Sequence, residues 1–492
     1  MKPRVLLIGL PYVVKNVDVN RPKIRSFSAF PYGLLSMVTY NKAYADITVV
    51  DWEVYPDYET YEESLSYFSS FDVVGFSMLF DNSYKSLKAF LRTTKEKLPN
   101  TIIILGGAAA SYSCREILND CPELDAICYS EGEIAFKNLL LNLHQAKIFL
   151  DTSPNWATHA SKDKELQVAY VSNLDEVIDL DYSLVDIEAY DMQQAFSPYV
   201  DYSKSHKQFF LVTSRGCPYS CAFCSNSTIH GKSVRLTSVD KTIEHVKHLV
   251  DDLRMDVLTI YDDQLLLYAD RAKELFRRLI PFNLRIEMPN GVSVRFMDKE
   301  MAYLMRIAGV DTVYLAIESG SKYVLKELIN KPLKLEEVAP AVQACREAGI
   351  FTHGFFVLGM PGETREHREE TRKFIKEVGL DWAGINLATP VRGSRLYEDC
   401  IKNGWIKKQK IEDIVDKKYI IEYPGVDPKE MEEHAYEINL DVNFHSNRDM
   451  LIGNYERAAS CFKEVLKRYS EHKWAKHYLS ICEKKLEGKN NG

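Results

Sequence analysis

Two stretches of this chain alternate short apolar runs with amphipathic segments, and that rhythm confines the fold to parallel β/α architecture, built twice. In the first stretch the candidate strands are Arg4–Ile8, Ile47–Asp51, Val73–Ser77, Thr101–Leu105 and Ala126–Tyr129, with helical patterns such as Tyr84–Leu98 and Ile134–Leu143 between them. They read as an α/β domain over residues 1–150, a doubly wound parallel sheet whose ligands sit at the carboxyl ends of the strands. The second series covers residues 208–400, with candidate strands Gln208–Thr213, Asp256–Tyr261, Arg285–Val294, Thr312–Ile317, Phe351–Leu358 and Gly384–Ala388. Its helices are Ser238–Leu253, Lys299–Ile307, Leu335–Ala348 and Thr364–Val378, with Gly349 and Gly379 as stop signals. Six such units predict a partial (β/α)6 barrel, again with its chemistry at the strand carboxyl ends.

Residues 151–207 lose the rhythm and read as a long linker. Residues 401–492 form a helical extension, in which Asn454–Tyr469 and Trp474–Leu486 look like one tetratricopeptide-type hairpin. A lone hairpin cannot bury its own apolar face, so it is expected to dock on the barrel or to contact a protein partner. The net charge of −8, without a long Lys/Arg block, argues against a nucleic-acid partner. No run approaches the roughly 18 apolar residues of a transmembrane segment, and a cytoplasmic protein is expected.

Ten cysteines are too few for a disulfide scaffold of this length. Three of them crowd into Arg215-Gly216-Cys217-Pro218-Tyr219-Ser220-Cys221-Ala222-Phe223-Cys224, directly after the first barrel strand. Three thiolates at x3 and x2 spacing can hold three corners of an iron–sulfur cube and leave the fourth iron open. A zinc site with His230 is an alternative, but the spacing does not fit paired zinc ligands. Buried structural thiols are another, for which a loop rich in Gly, Pro and Ser is a poor place.

Cys-x3-Cys-x2-Cys, with Phe223 before the last cysteine, resembles the signature of the radical S-adenosylmethionine (SAM) superfamily. The resemblance implies a 4Fe-4S cluster on Cys217, Cys221 and Cys224 as the catalytic centre. Its open iron would chelate SAM, and reductive cleavage would yield a 5′-deoxyadenosyl radical. Three barrel segments are similar to the family as well. Tyr261-Asp262-Asp263 lies where the family positions groups for the SAM amine, Glu318-Ser319 where it contacts ribose or the methionyl group, and the segment around Gly359 beside adenine. Asp262 and Glu363 could equally cap the helices that follow them.

In the first domain, Ser77-x-Leu79 and then Gly106-Gly107 resemble the cobalamin-binding domain, with Gly33 where that family's first glycine belongs. The family's Asp and His positions hold Ser28 and Phe30, and no histidine precedes His144, so the lower axial ligand is absent. That departure suits cobalamin-dependent radical SAM enzymes, which often bind the corrin with its lower face unligated. A degenerate domain that kept the fold and lost the ligand is the competing reading. Cys114, Cys121 and Cys128 are expected to be core thiols rather than a second cluster.

The resemblance implies methyl transfer to an unactivated carbon, with S-adenosylhomocysteine and 5′-deoxyadenosine as co-products. Cyclisation or rearrangement without methyl transfer, and a non-catalytic cobalamin-binding scaffold, are the alternatives. An external reductant such as flavodoxin or ferredoxin is expected. The substrate (small molecule, lipid or peptide) is not legible, although Tyr219, Asn290, Ser293, Arg392 and Arg395 fall near the barrel mouth.

Overall fold

The computed structural model describes residues 2–11, 29–54, 65, 70–190, 192, 195–199, 206–407, 411 and 418–490. Its first sheet has β1 (Arg4–Gly9), β2 (Asp46–Asp51), β3 (Val73–Ser77), β4 (Ile102–Gly106) and β5 (Ala126–Cys128) in the parallel order β2-β1-β3-β4-β5. The two-residue β6 (Trp156–Ala157) joins antiparallel at the edge. The strands are apolar on both faces because helices cover both. Val5 and Leu7 pack with Leu34, Val38 and Phe136, while Leu6 and Ile8 pack with Leu87, Phe90 and Ile117. The order reverses between β1 and β3, so the ligand crevice of such a sheet opens at Gly9, Ser77 and Gly106.

The second domain is an open six-stranded barrel. β7 (Gln208–Leu211), β10 (Val257–Ile260) and β11 (Arg285–Glu287) form one parallel sheet; β12 (Thr312–Glu318), β13 (Phe351–Leu358) and β14 (Trp382–Leu387) form the other. A single bridge, Val292 to Leu315, joins them. The predicted third strand, Arg285–Val294, is therefore cut short at Glu287. Pro289 has no N–H to give a ladder, and Gly291 turns the chain at φ +82°. Between β7 and β10, the short antiparallel pair β8 (Ser214–Arg215) and β9 (Arg235–Leu236) closes the base of the cysteine loop.

The linker is built rather than loose where it is described. Asn173, Asp181 and Asp186 each cap a short 3₁₀ turn through their side chains. Leu180 and Tyr182 enter the barrel core. A boundary at residue 400 falls inside the helix Arg395–Lys402. The C-terminal hairpin, Tyr455–Arg468 and Lys473–Asn490, docks on the barrel, where Phe462 and Phe444 pack with Phe351 and Trp382. Asn443 covers the edge of β14 at a buried point, accepting from Ala383 N at 2.8 Å and donating to its carbonyl at 2.7 Å. Among the described residues no helix is long and apolar enough to cross a membrane.

The two domains meet at the cysteine loop through a buried ionic lattice. Arg215, two residues before Cys217, bonds Glu133 at 2.8 Å and Ser36 Oγ at 3.1 Å. Arg235 holds Glu131 with both guanidinium nitrogens, at 2.6 and 2.8 Å, and His230 Nδ1 reaches the same carboxylate at 2.8 Å. Burial works to raise the pKa of Glu131, but Arg235, His230 and Arg215 more than offset it and bring the carboxyl down to about 2. Tyr112 OH donates to Ser225 O at 3.1 Å, and Arg392 meets Glu116 at 2.9 Å on the far side of the loop.

Glu131→Gln leaves Arg235 without its buried counter-charge and Arg215 with Glu133 alone, and is expected to cost about 3–5 kcal/mol in denaturant unfolding. A change below 1 kcal/mol would mean the lattice does not hold the domains together. Gly107 (φ +104°) has its absent Cβ position 2.4 Å from Met78 O, whereas a Cβ on Gly106 meets only Cys128 Cβ at 3.9 Å. Gly107→Ala should therefore cost about 1–3 kcal/mol and Gly106→Ala much less, a contrast that paired melts measure directly.

Candidate functional site

The cysteine loop leaves β8 at Gly216, whose φ of +97° and lack of a side chain let it pass 2.3 Å (Cβ position) from Ser233 O. Backbone bonds then fix the loop, with Cys217 N donating to Gly231 O at 3.1 Å and Ala222 N to Ile329 O at 2.7 Å. Ala222 is buried, and Cys221 and Phe223 are half-buried against Leu396, Met360 and Ile329. The backbone is therefore clamped while Cys217 and Cys221 stay partly exposed and Cys224 exposed.

This donor set fits an iron–sulfur cube. Its three thiols stand on one loop at x3 and x2 spacing, three ligands for a cluster with one open iron. Burial raises all three thiols, Cys221 to about 11, so metal binding would have to displace their protons. His230, the fourth zinc donor considered from the sequence, gives Nδ1 to Glu131.

The strand-end carboxylates divide differently from expectation. Asp262 is buried and accepts from Thr213 Oγ1 at 2.6 Å and from Thr213 N, so it anchors the loop's root. Burial lifts its pKa to about 6, with Thr213 opposing. Asp263 accepts from Gly216 N at 2.7 Å and holds the loop one step nearer the cysteines. Ser319 is fully buried, with Oγ beside Thr371 Oγ1 at 3.1 Å and accepting from Ser321 N.

Gly359 is covered by the tail. Its carbonyl accepts from Tyr419 OH at 2.6 Å, its N–H goes to Glu363, and its φ is +89°. Glu363, pushed by burial to about 7, thus braces this turn.

Glu318 does face the cysteines. It sits at the carboxyl end of β12 with φ +73°, an uncommon backbone state for a glutamate that holds its side chain at the rim. Lys331 Nζ meets Glu318 Oε1 at 3.0 Å. Burial alone would pull the Lys331 pKa down, but the charges of Glu318 and Cys221 keep it raised. The sequence reading passed over Lys331. One lysine after an apolar helix carries no local signal, and only the turn at Asn330, in the left-handed region, brings it back to the loop. Gln264, also missed, donates Nε2 to Cys217 Sγ at 3.3 Å.

Among the mouth candidates, Tyr219 is half-buried and Asn290 exposed, whereas Arg392 is buried against Glu116 and Arg395 bonds Leu328 O at 3.3 Å. Cys121 and Cys128 are buried core thiols, and Cys114 is half-buried in the helix Cys114–Asp120.

In the first domain Leu79 and Phe80 stand exposed after β3 and Ser77 is partly exposed, while a Cβ on Gly33 would meet nothing within 4 Å and one on Gly106 only Cys128 Cβ. At the position of the missing histidine, Phe30 is buried against Tyr190, Tyr182 and Phe209 at ring distances of 4.8–5.3 Å. Ser28, the other departure, lies outside the described residues.

Comparisons with known proteins agree with this geometry. A B12 binding domain model matches residues 27–140 and a radical SAM superfamily model residues 211–375. The cytidylyl-2-hydroxyethylphosphonate methyltransferase of Streptomyces wedmorensis is 31% identical over 77% of this chain and 76% of its own length. The anaerobic magnesium-protoporphyrin IX monomethyl ester cyclase of Rubrivivax gelatinosus is 25% identical over 67% of this chain and 58% of its own. The radical SAM methyltransferase TsrM of Kitasatospora setae, solved with cobalamin and a [4Fe-4S] cluster, superposes with a TM-score of 0.67, at 15% identity over 90% of both chains. With the loop, the barrel and the sheet order all accounted for, this chain belongs to the radical SAM enzymes that carry an N-terminal B12-binding domain.

Proposed function

We propose that this chain is a cobalamin-dependent radical SAM methyltransferase acting on an unactivated carbon. One observation carries the reading: the helix Ala108–Tyr112, which starts immediately after Gly106-Gly107, reaches across to the cysteine loop through Tyr112 and Ser225. Tyr112 thus brings the segment that follows Gly106-Gly107 to the residue after Cys224, which supports a corrin and a cluster working side by side. The relative from Streptomyces wedmorensis, named a methyltransferase, supports methyl transfer over other chemistry.

When bound, the cluster supplies the electron that cleaves SAM, and cobalamin supplies the methyl group. Cys217, Cys221 and Cys224 would hold the cluster. Lys331 and Glu318 present one positive and one negative group beside it, matching the carboxylate and ammonium of a methionyl moiety. Asp262 and Asp263 keep the loop in place, and Phe30, standing where the family has its histidine, would offer cobalamin no nitrogen ligand. Ring formation is the second reading, favoured by the cyclase relative. The electron would come from an external donor such as flavodoxin or ferredoxin.

An anaerobic assay with reductant, methylcobalamin and candidate acceptors should release S-adenosylhomocysteine and 5′-deoxyadenosine in equal amounts; 5′-deoxyadenosine alone would point to ring formation. Replacing Cys217, Cys221 and Cys224 by Ala should abolish both products and the brown colour. Lys331→Met should weaken SAM binding about tenfold or more, as expected for a lost bond to a charged group, and equilibrium binding to the reconstituted protein reads this. Unchanged affinity would remove Lys331 from the SAM site.

A further inference from the structure

Three consecutive residues after β10 grip three successive points of the cysteine loop. Asp262 takes Thr213, Asp263 takes Gly216 N, and Gln264 donates to Cys217 Sγ at 3.3 Å. The first two bonds go to the loop's frame. The third goes to a ligand sulfur. Gln264 Nε2 belongs to a neutral carboxamide on a segment pinned at its two preceding residues, so its Cα is held beside the loop and the side chain reaches the sulfur from there. Asn226 N also points at Cys224 Sγ at 3.5 Å, but that is a main-chain group which no side-chain replacement alters.

We propose that Gln264 sets the reduction potential of the cluster by donating a hydrogen bond to the Cys217 sulfur. This rests on the cluster assignment above. Adding an electron to the cluster increases negative charge on its sulfur ligands, and an N–H donor stabilises that charge; the bond therefore favours the reduced form. Within this site Gln264 is a positioning and tuning residue, one that touches neither SAM nor substrate through the bonds described.

The test is a one-electron redox titration of the reconstituted, cobalamin-loaded enzyme, followed by the electron paramagnetic resonance signal of the reduced cluster. Wild type is compared with Gln264→Met, which keeps the length and loses the donor, and with Gln264→Asn, which keeps the amide and loses the reach. Iron content and visible absorption are measured first. Wild-type protein without a cluster would overturn the cluster assignment and this inference together.

With clusters intact, both variants should show a lower midpoint, with the reduced-to-oxidised ratio at fixed poise falling about three- to tenfold, the worth of one hydrogen bond. Unchanged midpoints in variants with full iron content would overturn the inference alone. Should neither variant load iron, the wild type decides it. With glutamine labelled at its side-chain nitrogen, electron–nuclear double resonance should detect a coupled, exchangeable amide proton, and the absence of that coupling would refute the bond.

Discussion

A loop that carries three metal-binding sulfurs must be rigid in its backbone and open at its side chains, and the rest of this molecule is arranged around that conflict. Burying the loop would rigidify it but close the sulfurs off; leaving it free would lose their spacing. The structure grips the loop from the side. The residues after β10 take its root, Ala222 is driven beneath Leu396 and Ile329, and the first domain holds the β8–β9 ribbon through Glu131 and Glu133. The thiols of Cys217 and Cys221 stay partly exposed and that of Cys224 exposed.

The ionic lattice has a particular energetic character. Burying Arg215 and Arg235 costs desolvation, which the bidentate bonds to Glu131 and the bond to Glu133 offset only in one relative placement of the two domains. Its contribution is therefore more to geometry than to net stability. A hydrophobic interface of similar size would tolerate sliding; paired guanidinium and carboxylate groups do not. This suits two cofactors that must meet across a domain boundary.

Most of the scaffold was legible in the sequence because its signals are local. Val73–Ser77 and Phe351–Leu358 lie where the apolar runs place them, and the cysteine spacing states its own chemistry. The third barrel strand was overread because Val292 and Val294 continue the apolar pattern past Pro289-Asn290-Gly291, and alternation alone does not register the break. The site was legible at its motifs and illegible at their partners. Asp262 looks like any strand-end carboxylate until Thr213 lies beneath it. Ser319 is taken by Thr371, far along the chain, and Gly359 by Tyr419 from beyond the barrel. Lys331 and Gln264 belong to no short pattern; tertiary contact alone reveals them.

An open barrel leaves a raw edge, and here a side-chain amide covers part of it. Asn443 imitates a neighbouring strand at Ala383, offering one acceptor and one donor where a second polypeptide could otherwise add itself. Because the imitation comes from a helix it cannot propagate into a longer ladder, so the incomplete barrel is guarded against edge-to-edge aggregation without being closed.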